Sequence, residues 1–294
     1  MINSFIRKLT VGEKLIFFSG KLLLKIGSWI LAYKKFGFWQ LHYNKLELKK
    51  IEVAFDGKEL CYKTKDFTAL ARRFASDSLV FEGVMMEEEY KAAVDIFLLN
   101  NIPIKSFLDL GSNIGLTSVY VKNKFPDAMV IAIEPDKDNY EMMLRNFELN
   151  KLTNISPLMA GVGATDSFLE MNGAFRDEQQ WALSFKEVSY PTDILSYSIS
   201  TILKTYSIDE VDFIKMDIEG AEKEIFDDGA DMSFLKKVKV LAIEIHDEFD
   251  IRNNIYRKLT DNDFVIFNSN ETTIAVKRNL ILHTSRPEQY KIHN

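Results

Sequence analysis

The 294-residue sequence has little cysteine and little proline. Its single cysteine, Cys61, has no second thiol with which to form an internal disulfide, and one thiol excludes a zinc site built from several cysteines. A reducing compartment such as the cytoplasm therefore fits the composition best. Six prolines exclude long proline-rich linkers, and 47% hydrophobic with 27% charged residues excludes a disordered or collagen-like chain. The length suits one large α/β domain or two small ones.

Basic residues are scarce outside the first fifty positions. The formal net charge is −6, yet residues 1–50 hold ten lysine and arginine residues against only Glu13 and Glu47. A basic end on an acidic body predicts that this end meets an anionic partner. The acidic body is a poor match for polyanionic nucleic acid, which we therefore do not expect as a partner.

The basic N-terminal segment lacks a long apolar run. Within residues 14–39 the longest charge-free stretch, Ile26–Tyr33, is far shorter than the ~20 residues that span a bilayer. On a helix, four basic residues fall within about 40° of one another on an otherwise apolar surface: Arg7, Lys14, Lys21 and Lys25. This pattern is typical of a helix in a membrane interface, so residues 1–40 are expected to bind an anionic membrane from its cytoplasmic side. A helix packed on the main domain and a contact between two copies of the chain are the alternatives.

Residues 51–100 are interpreted as a lead-in to the main domain. The tight-turn dipeptide Asp56-Gly57 predicts a β-hairpin over Ile51–Phe55 and Leu60–Lys63. Helix starts are predicted at two further places, Ser76-Asp77 and the acidic run before Tyr90–Leu99.

A glycine-rich turn carries the main chemical signal. Along the chain lie, in order, the strand Phe107–Leu110, the turn Gly111–Gly115, the helix Leu116–Lys124 and the strand Met129–Ile133. Such a unit binds nucleotide-like cofactors at its turn. Gly111 permits a sharp turn and the close approach of a ligand to the backbone. Gly115 begins a helix whose free amide groups suit a carboxylate or phosphate.

The turn favours S-adenosylmethionine over a dinucleotide. The dinucleotide pattern G-x-G-x-x-G is absent, and the sequence reads Asp109-x-Gly111-x-x-x-Gly115 instead. Asp109 would repel a pyrophosphate, whereas it suits the cationic amino group and sulfonium region of S-adenosylmethionine. Glu134 lies 19 residues after Gly115 at the tip of the second strand. A carboxylate there accepts hydrogen bonds from two ribose hydroxyls. A turn with a purely structural role is the alternative.

Polar side chains also end two later strands, predicted over Val211–Asp217 and Val238–Ile245. Residues two apart share a face of a strand, so Lys215 projects with Asp217, and Glu244 with His246. Open α/β sheets bind ligands at such strand ends. Deprotonation of a hydroxyl and binding of a divalent metal by Asp217, Glu244 and His246 both stay open. Two further acids either join this group or belong to the first turn of a helix: Glu219 and Glu222.

The remaining segments complete an α/β layer. Asp136 is predicted to cap a helix over Lys137–Asn150. Ile155–Val162 is predicted to be a third strand whose end reaches the adenine. Residues 163–199 show no helical period and hold Trp181, which either packs in the core or walls the substrate site. A terminal hairpin is predicted over Phe264–Asn268 and Thr272–Lys277.

Four motifs together resemble the FkbM-type methyltransferases. They are FLDLGSNIGLTSVY, VIAIEPD, VDFIKMDIEGAE and LAIEIH, and the resemblance covers about residues 72–278. It implies the class I S-adenosylmethionine-dependent methyltransferase fold, a doubly wound, Rossmann-like, mostly parallel seven-stranded sheet with an antiparallel last strand. The predicted organisation is a basic amphipathic extension (1–50), a hairpin and helical lead-in (51–100), the methyltransferase domain (101–280) and a C-terminal tail (281–294).

The resemblance further implies O-methylation, commonly of a sugar hydroxyl, so a small-molecule or glycan acceptor is expected. The cofactor positions are Asp109, Gly111, Ser112, Asn113, Gly115 and Glu134, with Tyr90 from the lead-in. Either His246 or Asp217 is expected to remove the hydroxyl proton, and Lys215 to stabilise oxyanion charge. The competing functions are methylation of a protein or of another small molecule, and a non-catalytic scaffold that binds S-adenosylmethionine.

Overall fold

The computed structural model describes residues 46, 49–55, 58–72, 75–174, 183–246 and 250–282. The basic segment over residues 1–40, the Asp56-Gly57 turn, Trp181 and the tail after residue 282 lie outside these ranges, so what is predicted for them stays a prediction. Within the described ranges, no helix is both long and apolar enough to cross a membrane.

A small antiparallel sheet and short helical segments precede the main domain. Their bounds are β1 Glu52–Phe55, β2 Glu59–Lys63, β3 Thr68–Arg72, α1 Asp77–Phe81, a π-helical turn Glu82–Met86, and α2 Lys91–Leu99. β1 and β2 pair antiparallel with Phe55 opposite Leu60, so the predicted hairpin is present. β3 adds a third strand beside β2. The helix that begins at Asp77 and the helix that follows Tyr90 also start where the sequence predicts.

The main domain alternates strands with helices, except for a run of strands in its middle. Its elements are β4 Ser106–Leu110, α3 Leu116–Lys124, β5 Met129–Ile133, α4 Lys137–Leu149, β6 Ile155–Leu158, β7 Gly161–Gly163, β8 Ser167–Ala174, β9 Leu183–Val188, β10 Ile194–Ser198, α5 Ile199–Thr205, β11 Val211–Met216, α6 Glu222–Ile225, β12 Val238–Glu244, α7 Arg252–Asp261, β13 Phe264–Ser269, β14 Thr272–Lys277 and α8 Arg278–Leu282. Asp136 caps α4 as predicted, since its side chain accepts a hydrogen bond from the Asn139 amide.

Seven of the described strands form one sheet in the order β13-β14-β12-β11-β4-β5-β6. β14 is antiparallel to both of its neighbours, and the other neighbouring pairs are parallel. This confirms the predicted doubly wound, mostly parallel sheet with an antiparallel last strand. The strand order reverses at β4, so β4 and β11 flank the switch point. Open α/β sheets bind ligands there, beyond the carboxyl ends of the strands.

The two central strands, β4 and β11, are buried along their whole length. A parallel sheet covered on both faces requires continuous apolar runs, which is why these segments do not alternate between apolar and polar residues. On one face the rings of Phe107 and Phe213 stack with centroids 4.8 Å apart. On the other face Leu108 and Ile214 lie in a second apolar cluster. Packing from both sides fixes the position of the side chains that follow these strands.

The predicted third strand, Ile155–Val162, is wrong in its extent, because the chain forms two strands there. β6 ends at Leu158, where the Ala160 amide donates a hydrogen bond to the Leu158 carbonyl and tightens the chain into a turn. β7 then joins a second, four-stranded sheet of order β7-β10-β8-β9. Gly161 fits this sheet because a Cβ would lie 2.0 Å from Leu169 Cδ1. The segment without a helical period forms most of this second sheet.

Two asparagine side chains, one in the last turn of α4 and one directly after it, form hydrogen bonds with the edge strand β3. The Leu70 amide donates to Asn146 Oδ1 at 2.7 Å, and Asn146 Nδ2 donates back to the Leu70 carbonyl at 3.2 Å. Asn150 repeats the arrangement on Thr68, with distances of 2.9 and 2.6 Å. Residues four apart share a face of a helix, so the two amides follow the strand as a neighbouring strand would. The lead-in sheet is thereby fixed to the main domain.

Candidate active site

Two glycines are required by packing at the turn after β4. Gly111 has a φ of +76°, and a Cβ built on it would lie 1.8 Å from the Asp217 carbonyl oxygen. Gly115 has a φ of +81°, and its Cβ would lie 2.6 Å from Phe147 and 2.7 Å from Met143. Only glycine tolerates a left-handed φ in so little space. The turn therefore brings the chain after β4 into backbone contact with the chain after β11.

The Glu134 carboxylate is buried directly after β5. Its Oε2 accepts a hydrogen bond of 2.8 Å from the Asn113 amide. Its Oε1 accepts one of 3.0 Å from the Asp136 amide and one of 3.4 Å from Asn139 Nδ2. Burial raises the pKa of Glu134 to about 7, although these hydrogen bonds oppose the shift. The carboxylate is held in place and keeps lone pairs for further donors, such as ribose hydroxyls.

A chain of polar contacts links Glu134 to the lead-in sheet. Arg72 Nη2 donates a hydrogen bond of 2.5 Å to Asn139 Oδ1, and Asn139 in turn contacts Glu134. Arg72 is held by the fully buried Asp77 through Nε at 2.9 Å and Nη2 at 2.8 Å. Sequence reasoning missed Arg72 and Asn139. Their contact joins residues 67 positions apart, and no local sequence pattern predicts it.

Asp109 is fully buried on β4. Its Oδ2 accepts a hydrogen bond of 2.6 Å from Ser118 Oγ, whereas its buried Oδ1 has no hydrogen-bond partner among the described residues. Burial raises the pKa of Asp109, although Lys215 opposes the shift. The Ser112 hydroxyl donates to the Asp109 carbonyl at 2.7 Å, and the Ser112 amide donates to the Ile133 carbonyl at 2.8 Å. Asp109 thus keeps an open acceptor, while Ser112 is engaged within the chain.

Lys215 and Asp217 project together from the end of β11, as the period of a strand predicts. Lys215 Nζ lies 3.3 Å from Asp217 Oδ2, and it donates hydrogen bonds to the carbonyls of Gly111 at 2.5 Å and Leu110 at 3.4 Å. Burial lowers the pKa of Lys215, but Asp217 and Asp109 outweigh burial and raise it. The ammonium group therefore stays charged and ties the glycine turn to β11. The Asp217 side chain is 26% exposed against 4% for Lys215, so Asp217 is the one that a ligand reaches.

The His246 side chain is enclosed by two glutamates that follow β11. His246 Nε2 lies 3.4 Å from Glu219 Oε2, and its Nδ1 lies 3.3 Å from Glu222 Oε2. Glu222 is fixed in turn by the amides of Ile218 at 2.9 Å and Gly220 at 2.8 Å. Burial lowers the pKa of His246, but the contacts with Glu219 and Glu222 outweigh burial and raise it to about 11. In this arrangement the ring is an imidazolium at neutral pH.

Acidic groups repel one another around the ends of β11 and β12. Asp217 and then burial raise the pKa of Glu244 to about 8. Burial and Asp217 likewise raise the pKa of Glu89, whose Oε1 accepts a hydrogen bond of 3.1 Å from the Thr272 hydroxyl. Tyr90 is buried beside Glu89, and burial raises the pKa of its hydroxyl well above the usual value. Buried carboxyl groups that repel one another in this way favour the binding of a cationic ligand.

Among the described residues at these strand ends, the structure groups Asp217, Glu219 and His246 closely enough to share one ligand. One ligand atom from each lies within 4.8 Å of the others. Glu244, which the sequence placed in the candidate metal set, is not in this group, although it interacts electrostatically with Asp217. The sequence allowed two interpretations of Glu219: a member of the strand-end group, or an acid in the first turn of the following helix. The positive φ values of Glu219 (53°) and Gly220 (105°) form the turn that places it here.

Comparison with known proteins gives a family and two curated relatives. Residues 109–266 match the family described as Methyltransferase FkbM domain. "Methyltransferase sdnD" of Sordaria araneosa is 27% identical over 198 residues, which cover 56% of this chain and 76% of that protein. "Methyltransferase 1" of Beauveria bassiana is 25% identical over 144 residues, which cover 42% of this chain and 58% of that protein.

Solved structures also match the chain at low sequence identity. One is magnesium protoporphyrin IX methyltransferase from Synechocystis PCC 6803, with SAM bound. It is 14% identical with a TM-score of 0.37, and the match covers 65% of this chain and 79% of that structure.

Proposed function

Because the chain belongs to the FkbM methyltransferase family, we propose that it transfers a methyl group from S-adenosylmethionine to a hydroxyl oxygen of a sugar. Family membership makes it an S-adenosylmethionine-dependent methyltransferase, and the acceptor is our proposal. The observation that carries the proposal is the group of Asp217, Glu219 and His246 beside the glycine turn. Carboxylates at a strand end accept hydrogen bonds from hydroxyls and take up their protons. The acceptor class is a sugar of a polysaccharide, a glycolipid or a lipid-linked glycan.

The residues around the glycine turn fit S-adenosylmethionine. Asp109 offers a buried oxygen without a partner in the described chain, which suits an ammonium group. Gly111 lets the chain after β4 pack directly against the Asp217 backbone, which brings Asp217 close to the glycine turn. Glu134 would accept the ribose hydroxyls, and Tyr90, Ser112, Asn113 and Gly115 stay as predicted contacts. S-adenosylmethionine supplies an electrophilic methyl carbon on a sulfonium centre.

The chain's own contribution is to align a hydroxyl oxygen and to accept its proton. Asp217 fits the role of base, because its side chain is 26% exposed whereas that of His246 is 2% exposed. Without a bound metal ion, the His246 ring is an imidazolium that lies against Glu219 and has no free lone pair with which to take a proton. Lys215 fixes the Asp217 carboxylate and the turn, and its charge is the one that we expect to stabilise the developing oxyanion.

Methyl transfer to a panel of acceptors tests the proposed reaction. The purified protein is incubated with S-adenosylmethionine labelled in its methyl group. Oligosaccharides or glycolipids should gain the label as a methyl ether on a former hydroxyl oxygen, with release of S-adenosylhomocysteine. Labelling of a protein side chain would move the acceptor to another class. Tight S-adenosylhomocysteine binding without transfer to any acceptor would favour the scaffold function.

Glu134→Ala should weaken the binding of S-adenosylhomocysteine by about 1–3 kcal/mol, the loss expected when charge-assisted hydrogen bonds are removed. The measurement is calorimetry on the wild type, Glu134→Ala, and the exposed control Glu148→Gln on α4. Unchanged affinity in Glu134→Ala would contradict the ribose assignment.

The same carboxylate predicts a pH dependence of cofactor binding. The pKa of Glu134 is about 7, so its ionised form, which accepts both ribose hydroxyls, prevails above that pH. Affinity for S-adenosylhomocysteine should therefore fall as the pH drops from 8 towards 6. Glu134→Gln, which does not titrate, should bind more weakly at pH 8 and lose this slope.

The basic segment over residues 1–40 is proposed to attach the enzyme to an anionic membrane, where lipid-linked glycans reside. An anionic leaflet attracts each nearby lysine or arginine by ~1 kcal/mol, and burial of apolar side chains adds to this attraction. Trp29 and Leu22 are among the apolar residues of the segment. Because salt screens these charges, binding should fade as the ionic strength rises.

Flotation with liposomes checks this attachment. The full chain should float with anionic liposomes at low salt, float less with neutral ones, and stay behind near 1 M salt. A shortened chain that begins at Leu48 should not float. Equal flotation of both chains, or of neither, would favour a segment packed on the domain.

A further inference from the structure

The acidic group beside the glycine turn has the composition of a metal site. Asp217, Glu219 and His246 each place one ligand atom within 4.8 Å of the other two. Asp217 and Glu219 follow β11, and His246 follows the neighbouring strand β12. Two elements of a rigid sheet therefore hold the three ligands, which is how metal sites are kept in geometry.

The His246 ring gives an independent sign of a missing cation. The ring is 2% exposed, and its Nδ1 is buried without a hydrogen bond to any described residue. Glu219 Oε2 is also buried and makes no hydrogen bond within the part of the chain that the structure describes, although it lies 3.4 Å from His246 Nε2. The ring and the carboxylate thus face each other closely but without alignment. Two groups that both hold lone pairs need a cation between them, either a proton or a metal ion.

Glu222 is placed to orient the ring for coordination. Its oxygens are fixed by the Ile218 and Gly220 amides, and Oε2 lies 3.3 Å from His246 Nδ1. This contact lacks hydrogen-bond geometry, but the nearby carboxylate favours a proton on Nδ1 and so leaves Nε2 as the nitrogen that can bind a metal. When a metal ion replaces the second proton of the imidazolium, Nε2 is the nitrogen that faces Glu219.

We propose that Asp217, Glu219 and His246 bind one divalent first-row transition ion, for which Mn²⁺ is the probe. Carboxylate oxygens suit Mn²⁺ and Mg²⁺, and an imidazole in the set shifts the preference from Mg²⁺ to transition ions. Three protein ligands leave coordination positions for water or a substrate oxygen.

The role of the ion rests on the proposed function. A metal-bound hydroxyl is more acidic than a free one, so the ion would hold the acceptor oxygen and ease the loss of its proton to the Asp217 oxygen that does not bind the ion. The transfer itself is unchanged: the bond from sulfur to the methyl carbon breaks as the bond from oxygen to that carbon forms. S-adenosylhomocysteine leaves with the electron pair on sulfur.

Mn²⁺ binding to the full-length protein tests the site without reference to activity. After treatment with EDTA and dialysis, calorimetry and the loss of the free Mn²⁺ electron paramagnetic resonance signal should show one site, with weaker binding of Mg²⁺. Glu219→Gln should weaken Mn²⁺ binding at least tenfold, and His246→Gln likewise. Glu224→Gln, an exposed glutamate of the neighbouring helix α6, is the matched control and should bind as the wild type does.

Several outcomes separate the site from the proposed function. Folded wild type, checked by circular dichroism, that does not bind Mn²⁺ would overturn the site, as would equal binding by Glu219→Gln and the wild type. Transfer to a sugar hydroxyl that survives EDTA in such a protein would leave the proposed function standing. Mn²⁺ binding in a protein that methylates no hydroxyl would keep the site and overturn the function.

Discussion

Asp217→Asn is expected to lower the rate of methyl transfer by ~10²–10⁴-fold, the usual effect of removing a general base. An amide keeps the size of the side chain and its acceptor oxygen for Lys215, which lies 3.3 Å away. It does not take up a proton, however, and it is a weaker ligand for a cation. Affinity for S-adenosylhomocysteine should stay close to that of the wild type, because Asp217 follows β11 and is not the carboxylate that we propose for the ribose.

The measurement pairs the rate of methyl transfer with cofactor affinity from calorimetry. Asp209→Asn, an exposed aspartate at the opposite end of β11, is the matched control and should keep both values. His246→Ala should behave as Asp217→Asn does, with cofactor binding retained and transfer lost. A variant of Asp217 with unchanged turnover would show that the strand-end group is structural and would contradict the mechanism.

The geometry of the glycine turn and of Glu134, where we propose that the cofactor binds, was predictable because its signals are local. Gly111 and Gly115 lie in one turn, and Glu134 follows at the end of the next strand. Each glycine answers a backbone requirement that the structure shows as a positive φ. A strand–turn–helix–strand unit carries these relations within about thirty residues, so a pattern in the sequence is enough to find them.

The group at the ends of β11 and β12, which we propose to act on the acceptor, depends on contacts that no pattern in the sequence reveals. The period of a strand placed Lys215 with Asp217 and also indicated that His246 lies at a strand end. It did not show that His246 contacts Glu219 and Glu222, because that contact depends on the pairing of β11 with β12 and on the turn after β11. The link from Arg72 to Asn139 was out of reach for the same reason.

The split of the third predicted strand has a different cause. Ile155–Val162 is a continuous run of residues compatible with a strand, and periodicity does not show where a strand leaves one sheet for another. The break depends on the turn at Ala160 and on the fit of Gly161 against Leu169. Packing of the second sheet therefore decides the boundary, and local propensity does not.

Gly111→Ala is expected to damage both the fold and the site. A left-handed φ costs a residue with a Cβ about 1–2 kcal/mol. The Cβ would also lie 1.8 Å from the Asp217 carbonyl oxygen, so the turn or the end of β11 must move. Forced displacement in a packed site costs typically ~1–3 kcal/mol more. Because Lys215 donates to the Gly111 carbonyl, the shift also reaches the pair of Lys215 and Asp217.

Urea unfolding and cofactor calorimetry should together measure this damage. The midpoint of unfolding should fall and S-adenosylhomocysteine binding should be lost, whereas the exposed control Gly229→Ala should keep both, since its Cβ would come no nearer than 3.8 Å to Asp227. The two readouts separate two causes. A stable variant that has lost only cofactor binding would mean that the turn moves, without loss of stability, into the space that the cofactor would occupy. A variant that keeps both properties would contradict the backbone contact between the ends of β4 and β11, on which the whole arrangement of the site depends.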